Sequence, residues 1–135
     1  MFKIRRKKKD TANKKVLNAK TKVFKGITFK SGLEKYFYEQ CLLHKIDVKY
    51  EQYKFVLANG FKFQNESIRP ITYTPDFVGL TFIVETKGFL TEAAAIRIKL
   101  FKKHMVDNDF KEVFYMPRNR KVVDIVINQI LKTIC

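Results

Sequence analysis

The feature that most constrains the fold is a pair of short apolar runs separated by a tight turn in the middle of the chain. Residues 76–78 and residues 82–87 are rich in aromatic and β-branched side chains, and Gly-Leu-Thr separates them at residues 79–81. A three-residue connection is too short for a crossover, so the two runs predict neighbouring antiparallel strands. Any fold for this chain must therefore contain a sheet built around this hairpin.

Helical periodicity lies on both sides of the hairpin. Apolar residues recur at helical spacing over residues 32–45, residues 91–106 and residues 120–134, and residues 113–116 have the composition of a buried strand. The order of helix, strands, helix, strand and helix predicts an α/β (α+β) fold class, in which helices flank a mixed β-sheet.

Further strands are predicted between the first helix and the central hairpin. Alternation over residues 46–57 indicates a strand that is kinked near Gln52. Asn59 and Gly60 form a turn signal, after which residues 61–63 begin a return strand. Residues 71–74 add one more short strand before Pro75.

Positive charge dominates the chain and is concentrated at its start. The 28 Lys and Arg against 13 Asp and Glu give a net charge of +15, and residues 1–30 hold twelve basic side chains but one acid. Such an excess favours a polyanionic partner, of which nucleic acid is the commonest. We interpret residues 1–27 as a flexible basic arm and residues 28–135 as one folded domain.

The arm offers a run of cations for the DNA backbone. A solvated tail, or a tail that packs on a partner subunit, is the alternative interpretation. The candidate phosphate-binding residues of the arm are Arg5, Arg6, Lys7, Lys8 and Lys9.

The remaining composition bounds the compartment. Cys41 and Cys135 do not form a disulfide scaffold, and no apolar run is long enough to span a bilayer. We therefore expect a soluble cytoplasmic protein with no membrane partner and no small-molecule cofactor.

Two carboxylates and a lysine converge in the predicted hairpin. Asp76 lies near the end of one strand, while Glu85 and Lys87 lie two apart on the next and share a sheet face. Mg²⁺ (or Mn²⁺) prefers oxygen ligands, and Asp76, Glu85 and the main-chain carbonyl of Thr86 would supply them. Lys87 would hold or help to deprotonate a metal-bound water. Glu34 would complete a second metal site.

Each of these residues also has a purely structural interpretation. Asp76 fits a turn position after a proline, and Glu85 with Lys87 fits the exposed face of an edge strand. Ser31 and Glu34 have the spacing of a capping box, in which Glu34 needs no other role. The combination is more specific than any of its members, because acids held together in a basic protein need a local cause.

The order of these motifs resembles the PD-(D/E)XK nuclease superfamily, and within it the phage endonuclease I family of Holliday-junction resolvases. The matching words are FKSGLE ending at Glu34, YE at residues 50–51, TYTPDF around Asp76 and FIVETKG around Glu85 and Lys87. The resemblance covers residues 28–115, although residues 59–70 do not match clearly.

The resemblance implies a restriction-endonuclease-like sheet and a function. It assigns Glu34, Asp76 and Glu85 to the metal site and makes Lys87 the catalytic lysine. It implies a Mg²⁺- or Mn²⁺-dependent nuclease that resolves branched DNA, including four-way junctions, as a domain-swapped homodimer. A phage-encoded chain would act in the cytoplasm of the host cell.

Further basic residues are candidates for contacts with DNA phosphates, or else belong to solvated faces. They are Lys30, Arg97, Lys102, Lys103 and Arg118. No base-reading motif is visible, so selectivity would come from DNA shape. Two rival functions stay open: a restriction- or transposon-type nuclease that cuts or nicks duplex DNA, and a non-catalytic basic DNA-binding protein.

Overall fold

The computed structural model describes residues 22–134, which form a mixed α+β domain, and so confirms the predicted fold class. The ten strands of the described residues are β1 (Lys22–Phe24), β2 (Ile27–Phe29), β3 (Lys49–Tyr50), β4 (Phe55–Ala58), β5 (Phe61–Phe63), β6 (Glu66–Ile68), β7 (Ile71–Tyr73), β8 (Phe77–Val78), β9 (Phe82–Val84) and β10 (Val113–Tyr115). The helices are α1 (Gly32–Leu43), α2 (Glu92–Asp107) and α3 (Arg120–Ile134).

The central sheet has the order β10-β9-β8-β3. β8 and β9 pair antiparallel with Phe77 opposite Val84, which confirms the hairpin predicted from the three-residue turn. β10 joins on the other side of β9 in parallel, after the crossover through α2. β9 therefore lies inside the sheet, which accounts for its continuous apolar sequence.

Alternation along β9 feeds two hydrophobic cores. Phe82 and Val84 pack with α1 and α3, whereas Ile83 packs with Tyr73 and α2. Successive side chains of a strand point to opposite faces, so α1 and α3 cover one face of the sheet and α2 covers the other. Burial on both faces fixes the register of β9, because a slip by one residue would exchange its two sets of core contacts.

The backbone after β9 continues to form hydrogen bonds with the end of β10 and the residues that follow it. The Glu85 N–H donates to the Tyr115 carbonyl at 3.0 Å, and the Lys87 N–H donates to the Pro117 carbonyl at 3.1 Å. The strand predicted over residues 82–87 is thus assigned as β9 only to Val84, but its continuation is held along the end of β10. This continuation carries the candidate site residues.

Residues 46–63 differ from the prediction. The break expected near Gln52 divides two strands that belong to separate sheets, since β3 pairs with β8 and β4 pairs with β7. Residues 61–63 do form a strand, but β5 returns on β6 and not on β4. Together β4 to β7 form a long two-stranded ribbon, whose tip at Gln64 and Asn65 has φ of 45° and 65°.

The first described residues form a hairpin instead of part of the basic arm. β1 pairs antiparallel with β2, and Lys25 and Gly26 make the turn at positive φ. Phe29 of β2 is fully buried, and Phe24 of β1 contacts Tyr38 of α1. Residues 22–27 of the predicted arm therefore belong to this hairpin, while the rest of the predicted arm, residues 1–21, lies outside the described residues.

The helices follow their predicted bounds closely. α3 spans the predicted residues, α2 is shifted by one residue, and α1 ends two residues early because His44 is its C-cap. Within residues 22–134, no helix combines the length and the apolar character that a bilayer crossing requires.

Candidate metal-binding and catalytic site

The antiparallel pairing of β8 and β9 brings Asp76 and Glu85 to the same end of the sheet. The Asp76 N–H donates to Glu85 Oε2 at 3.2 Å. Asp76 Oδ2 accepts two hydrogen bonds from Thr86, one from its N–H and one from its hydroxyl, each at 2.8 Å. The Glu85 carboxylate is therefore held by the Asp76 backbone and the Asp76 carboxylate by Thr86, the residue after Glu85, as expected from the short connection between their strands.

Glu34 reaches the same place from the first turn of α1. Ser31 caps the helix by accepting the Glu34 N–H at 3.2 Å, as the capping box predicts. The reciprocal bond is absent in the described structure, because the Glu34 carboxylate accepts the Lys30 N–H at 3.1 Å and the Tyr50 hydroxyl at 2.6 Å. Glu34 is therefore directed into the site and does not close the box on Ser31.

A polar cavity of about 400 Å³ contains these groups. Its lining residues are Lys30, Glu34, Thr72, Tyr73, Thr74, Asp76, Glu85, Lys87, Ala94, Arg97 and Ile98. All four residues predicted to be catalytic line it, and so do two of the predicted DNA contacts, Lys30 and Arg97. β7, α1 and α2 each supply part of the wall, together with the residues just before β8 and just after β9.

Lys87 lies at the edge of the acid pair. Its Nζ is 3.7 Å from Glu85 Oε1, and about a third of its side chain is exposed, against 7% of that of Glu85. The two-residue spacing on extended backbone places both side chains on the same side, as predicted. Lys87 is thus positioned between the buried carboxylates and the open mouth of the cavity.

Sequence reasoning missed Glu51 as a site residue. One carboxylate oxygen each from Glu34, Glu51 and Asp76 lie within 4.8 Å of one another. The Glu51 N–H donates to the Asp76 carbonyl at 2.9 Å, and Glu51 adopts φ of 47°, which directs the chain out of β3. The available signal was the loss of alternation just after Tyr50, where a strand would otherwise continue.

Two tyrosines position the site carboxylates. Tyr73 donates its hydroxyl to Glu85 Oε2 at 2.8 Å, and Tyr50 donates to Glu34 as described above. Hydrogen bonds to an ionised acceptor are stronger than neutral ones, so each phenol fixes its carboxylate in one orientation. These roles had no sequence signal beyond the presence of the residues in the matched words.

The site concentrates negative charge in a buried environment. Burial, followed by the charges of Glu85 and Glu34, raises the pKa of Asp76 to about 8. Burial also raises the pKa of Glu85, although the Tyr73 hydroxyl and the Lys87 ammonium oppose this change. The nearby positive charge therefore only partly compensates these carboxylates, and a hard cation with oxygen preference suits these donors.

Other predicted DNA contacts lie away from the cavity wall. Lys102 and Lys103 are exposed on α2, where Lys103 pairs with Asp107 at 2.6 Å and the Lys102 ammonium lies 6.0 Å from the Phe114 ring centroid. Arg118 is exposed after β10. Residues 5–9 lie outside the part of the chain that the structure describes.

The fold and the site together define a small α+β domain with an acid- and lysine-lined cavity at one end of its central sheet. The chain belongs to the DUF1064 family, described as proteins of unknown function, whose model matches residues 14–123. No curated protein and no solved structure matches the chain.

Proposed function

We propose that this protein is a divalent-metal-dependent, structure-selective DNA endonuclease that resolves Holliday junctions and other branched DNA by phosphodiester hydrolysis. The observation that carries the proposal is the convergence of Glu34, Asp76, Glu85 and Lys87 on one cavity, although they come from three separate parts of the chain. The resemblance to the phage endonuclease I family supports the same function.

The acids fit Mg²⁺ or Mn²⁺. Asp76 and Glu85, with the main-chain carbonyl of Thr86, would hold one ion, and Glu34 with Glu51 would contribute to a second. Oxygen donors of this kind match a hard divalent cation that keeps several waters and shares substrate phosphate oxygens. Such an ion, when bound, polarises the phosphate and lowers the pKa of a coordinated water.

Lys87 would act on the attacking water. Its ammonium group would orient the water and offset the negative charge that develops on the phosphate. The water oxygen forms a bond to phosphorus, the bond from phosphorus to the 3′ oxygen breaks, and the 3′ oxygen takes up a proton. The products are a 5′-phosphate and a 3′-hydroxyl.

Charge supports a nucleic-acid substrate over a small phosphate ester. The chain has a net charge of +15, and Lys30 and Arg97 lie at the cavity with Lys87. Contacts of this kind bind the backbone without reading bases, so the shape and deformability of a branch would determine selectivity.

A homodimer suits a substrate with two strands to cut. A four-way junction has near two-fold symmetry, and an isologous dimer presents two equivalent sites related by the same axis. In the described chain, Glu34 lies beside Asp76 of its own chain. The domain-swapped dimer stays a prediction, which sedimentation of the full chain with and without a junction would test.

A cleavage assay separates this function from its rivals. The full chain is incubated with a synthetic four-way junction or a matched linear duplex, with Mg²⁺, Mn²⁺ or EDTA. Asp76→Asn should abolish cleavage and keep binding. Asp109→Asn is the matched control, because it removes an equal charge from a side chain that is 86% exposed.

Each rival has its own outcome in this assay. Equal cleavage of the linear duplex would favour a nuclease that cuts or nicks ordinary duplex DNA. Binding without cleavage of any DNA form by the wild-type protein, in either metal, would favour a non-catalytic DNA-binding protein and would overturn the proposal.

A further inference from the structure

An exposed phenylalanine directly follows the candidate catalytic lysine. β9 and the next two residues are buried, but the chain then reaches the surface, where Phe89 is 72% exposed. Only Gly88 separates Phe89 from Lys87, so their Cα atoms lie within about 7.6 Å of each other, two peptide steps of 3.8 Å. Phe89 therefore lies within two residues of the lysine that would act on the scissile phosphate.

The backbone on both sides of Phe89 is anchored. Before it, the Lys87 N–H donates to the Pro117 carbonyl at 3.1 Å. After it, the Thr91 hydroxyl caps α2 by accepting the Ala94 N–H at 3.1 Å. The aromatic ring is thus presented to solvent from a short segment whose two ends are fixed.

The charges around Phe89 suit a nucleic acid rather than an apolar protein partner. Lys87 and Arg97 line the cavity that begins two residues before Phe89. No acid occurs from residue 86 to residue 91. An exposed aromatic ring two residues from a lysine at the cavity matches the way proteins hold unpaired nucleotides, with backbone phosphates on cations and a base on the ring.

We propose that Phe89 stacks on a base exposed at a branch point and thereby selects DNA whose base stacking is interrupted next to the scissile phosphate. In continuous duplex both faces of each base are covered by its neighbours, so the ring finds no free face without unstacking a step. At a junction a free face is available. This inference rests on the proposed endonuclease function and names the feature of the substrate that the site recognises.

The experiment compares Phe89→Ala, Phe89→Leu and Phe89→Trp in the full chain. Cleavage of a four-way junction and of a matched linear duplex is measured in Mg²⁺, and binding of both DNAs is measured in the Asp76→Asn background. Leu80→Ala is the matched control, because Leu80 is 93% exposed and lies in the turn at the other end of β9.

Phe89→Ala should reduce both the cleavage and the binding of the junction by about 5- to 150-fold, the equivalent of about 1–3 kcal/mol of base stacking. The cleavage and binding of the linear duplex by Phe89→Ala should change less than about twofold. The same limit applies to the Leu80→Ala control. Phe89→Trp should retain junction activity, whereas Phe89→Leu should lose most of it because it is apolar without a π face.

Three results would overturn the inference. Junction cleavage by Phe89→Ala within twofold of the wild type would show that the ring does not contribute, while the endonuclease function would stand. An equal loss on junction and duplex would show a general role and not selection. An absence of wild-type cleavage on every DNA form would remove the proposed function, and the inference with it.

Discussion

Replacing Asp76 by Asn should stabilise the metal-free protein. The folded chain buries Asp76, 7% exposed, beside two other carboxylates, and its pKa is raised to about 8. An unfolded Asp ionises near pH 3.9 whereas the folded group keeps its proton at pH 7, so this group costs the folded state up to about 4 kcal/mol at 1.36 kcal/mol per pH unit. Asn is nearly isosteric, and its carbonyl oxygen retains an acceptor for both hydrogen bonds from Thr86.

The expected gain for Asp76→Asn in EDTA is about 2–4 kcal/mol at pH 8, or about 6–15 °C in Tm for a domain of this size. The pH dependence of this difference in stability gives a control within the experiment. Because the pKa of Asp76 is higher in the folded state, its destabilising effect is absent below about pH 4 and grows as the pH rises towards 8. The two proteins should therefore melt together at pH 4 and separate progressively above it.

Circular dichroism melts at pH 4, 6 and 8 measure this directly, with Asp109→Asn as the exposed control that should follow the wild type. Mg²⁺ should narrow the difference in stability between the two proteins. At ten times its Kd it adds about 1.4 kcal/mol to the wild type, and it should add nothing to Asp76→Asn. A variant that is less stable than wild type in EDTA at pH 8, or that gains as much from Mg²⁺, would refute the reasoning.

Three further changes test other parts of the site. Tyr73→Phe should lower the free energy of unfolding by about 1–3 kcal/mol, because buried Glu85 loses a hydrogen-bond donor; urea melts would show no change if the phenol were dispensable. Lys87→Ala should abolish junction cleavage in Mg²⁺ while gel-shift affinity stays within a few-fold, and retained cleavage would contradict its role. Deleting residues 1–21, which hold nine basic side chains, should weaken junction binding and flatten its dependence on salt, and an unchanged slope of log K against log [salt] would exclude phosphate contacts by the arm.

The parts of the site that sequence predicts well are those fixed by local geometry. Asp76 and Glu85 are nine residues apart, and the connection between their strands leaves one pairing available, so their meeting follows from turn length and alternation. Glu34 is different, because α1 reaches the sheet through tertiary packing that no spacing rule specifies. Its placement was indicated by the resemblance to a nuclease family and not by periodicity.

Gly60 in the ribbon is a correct sequence signal from which the wrong structural feature is predicted. Gly60 was interpreted as part of a hairpin turn, yet the turn of the ribbon lies at Gln64 and Asn65. A Cβ on Gly60 would lie 2.9 Å from the Ile68 carbonyl oxygen and 3.2 Å from the Pro70 ring, so glycine is required where two strands approach closely. Sequence marks such a position without distinguishing a turn from a close approach.

The electrostatics of the cavity unite these observations. Tyr50, Tyr73 and the Thr86 backbone hold the acids in place with neutral donors, which orient the carboxylates but add no net positive charge. Among the described residues, the cations that line the cavity are Lys30, Lys87 and Arg97, and the Lys30 ammonium is already engaged with Glu51 at 2.6 Å. The fold therefore maintains a preorganised cluster whose charge is only partly balanced from within, at a cost in stability that a bound divalent cation would offset. An acid cluster with a purely structural role would gain no stability from being held with its charge only partly balanced.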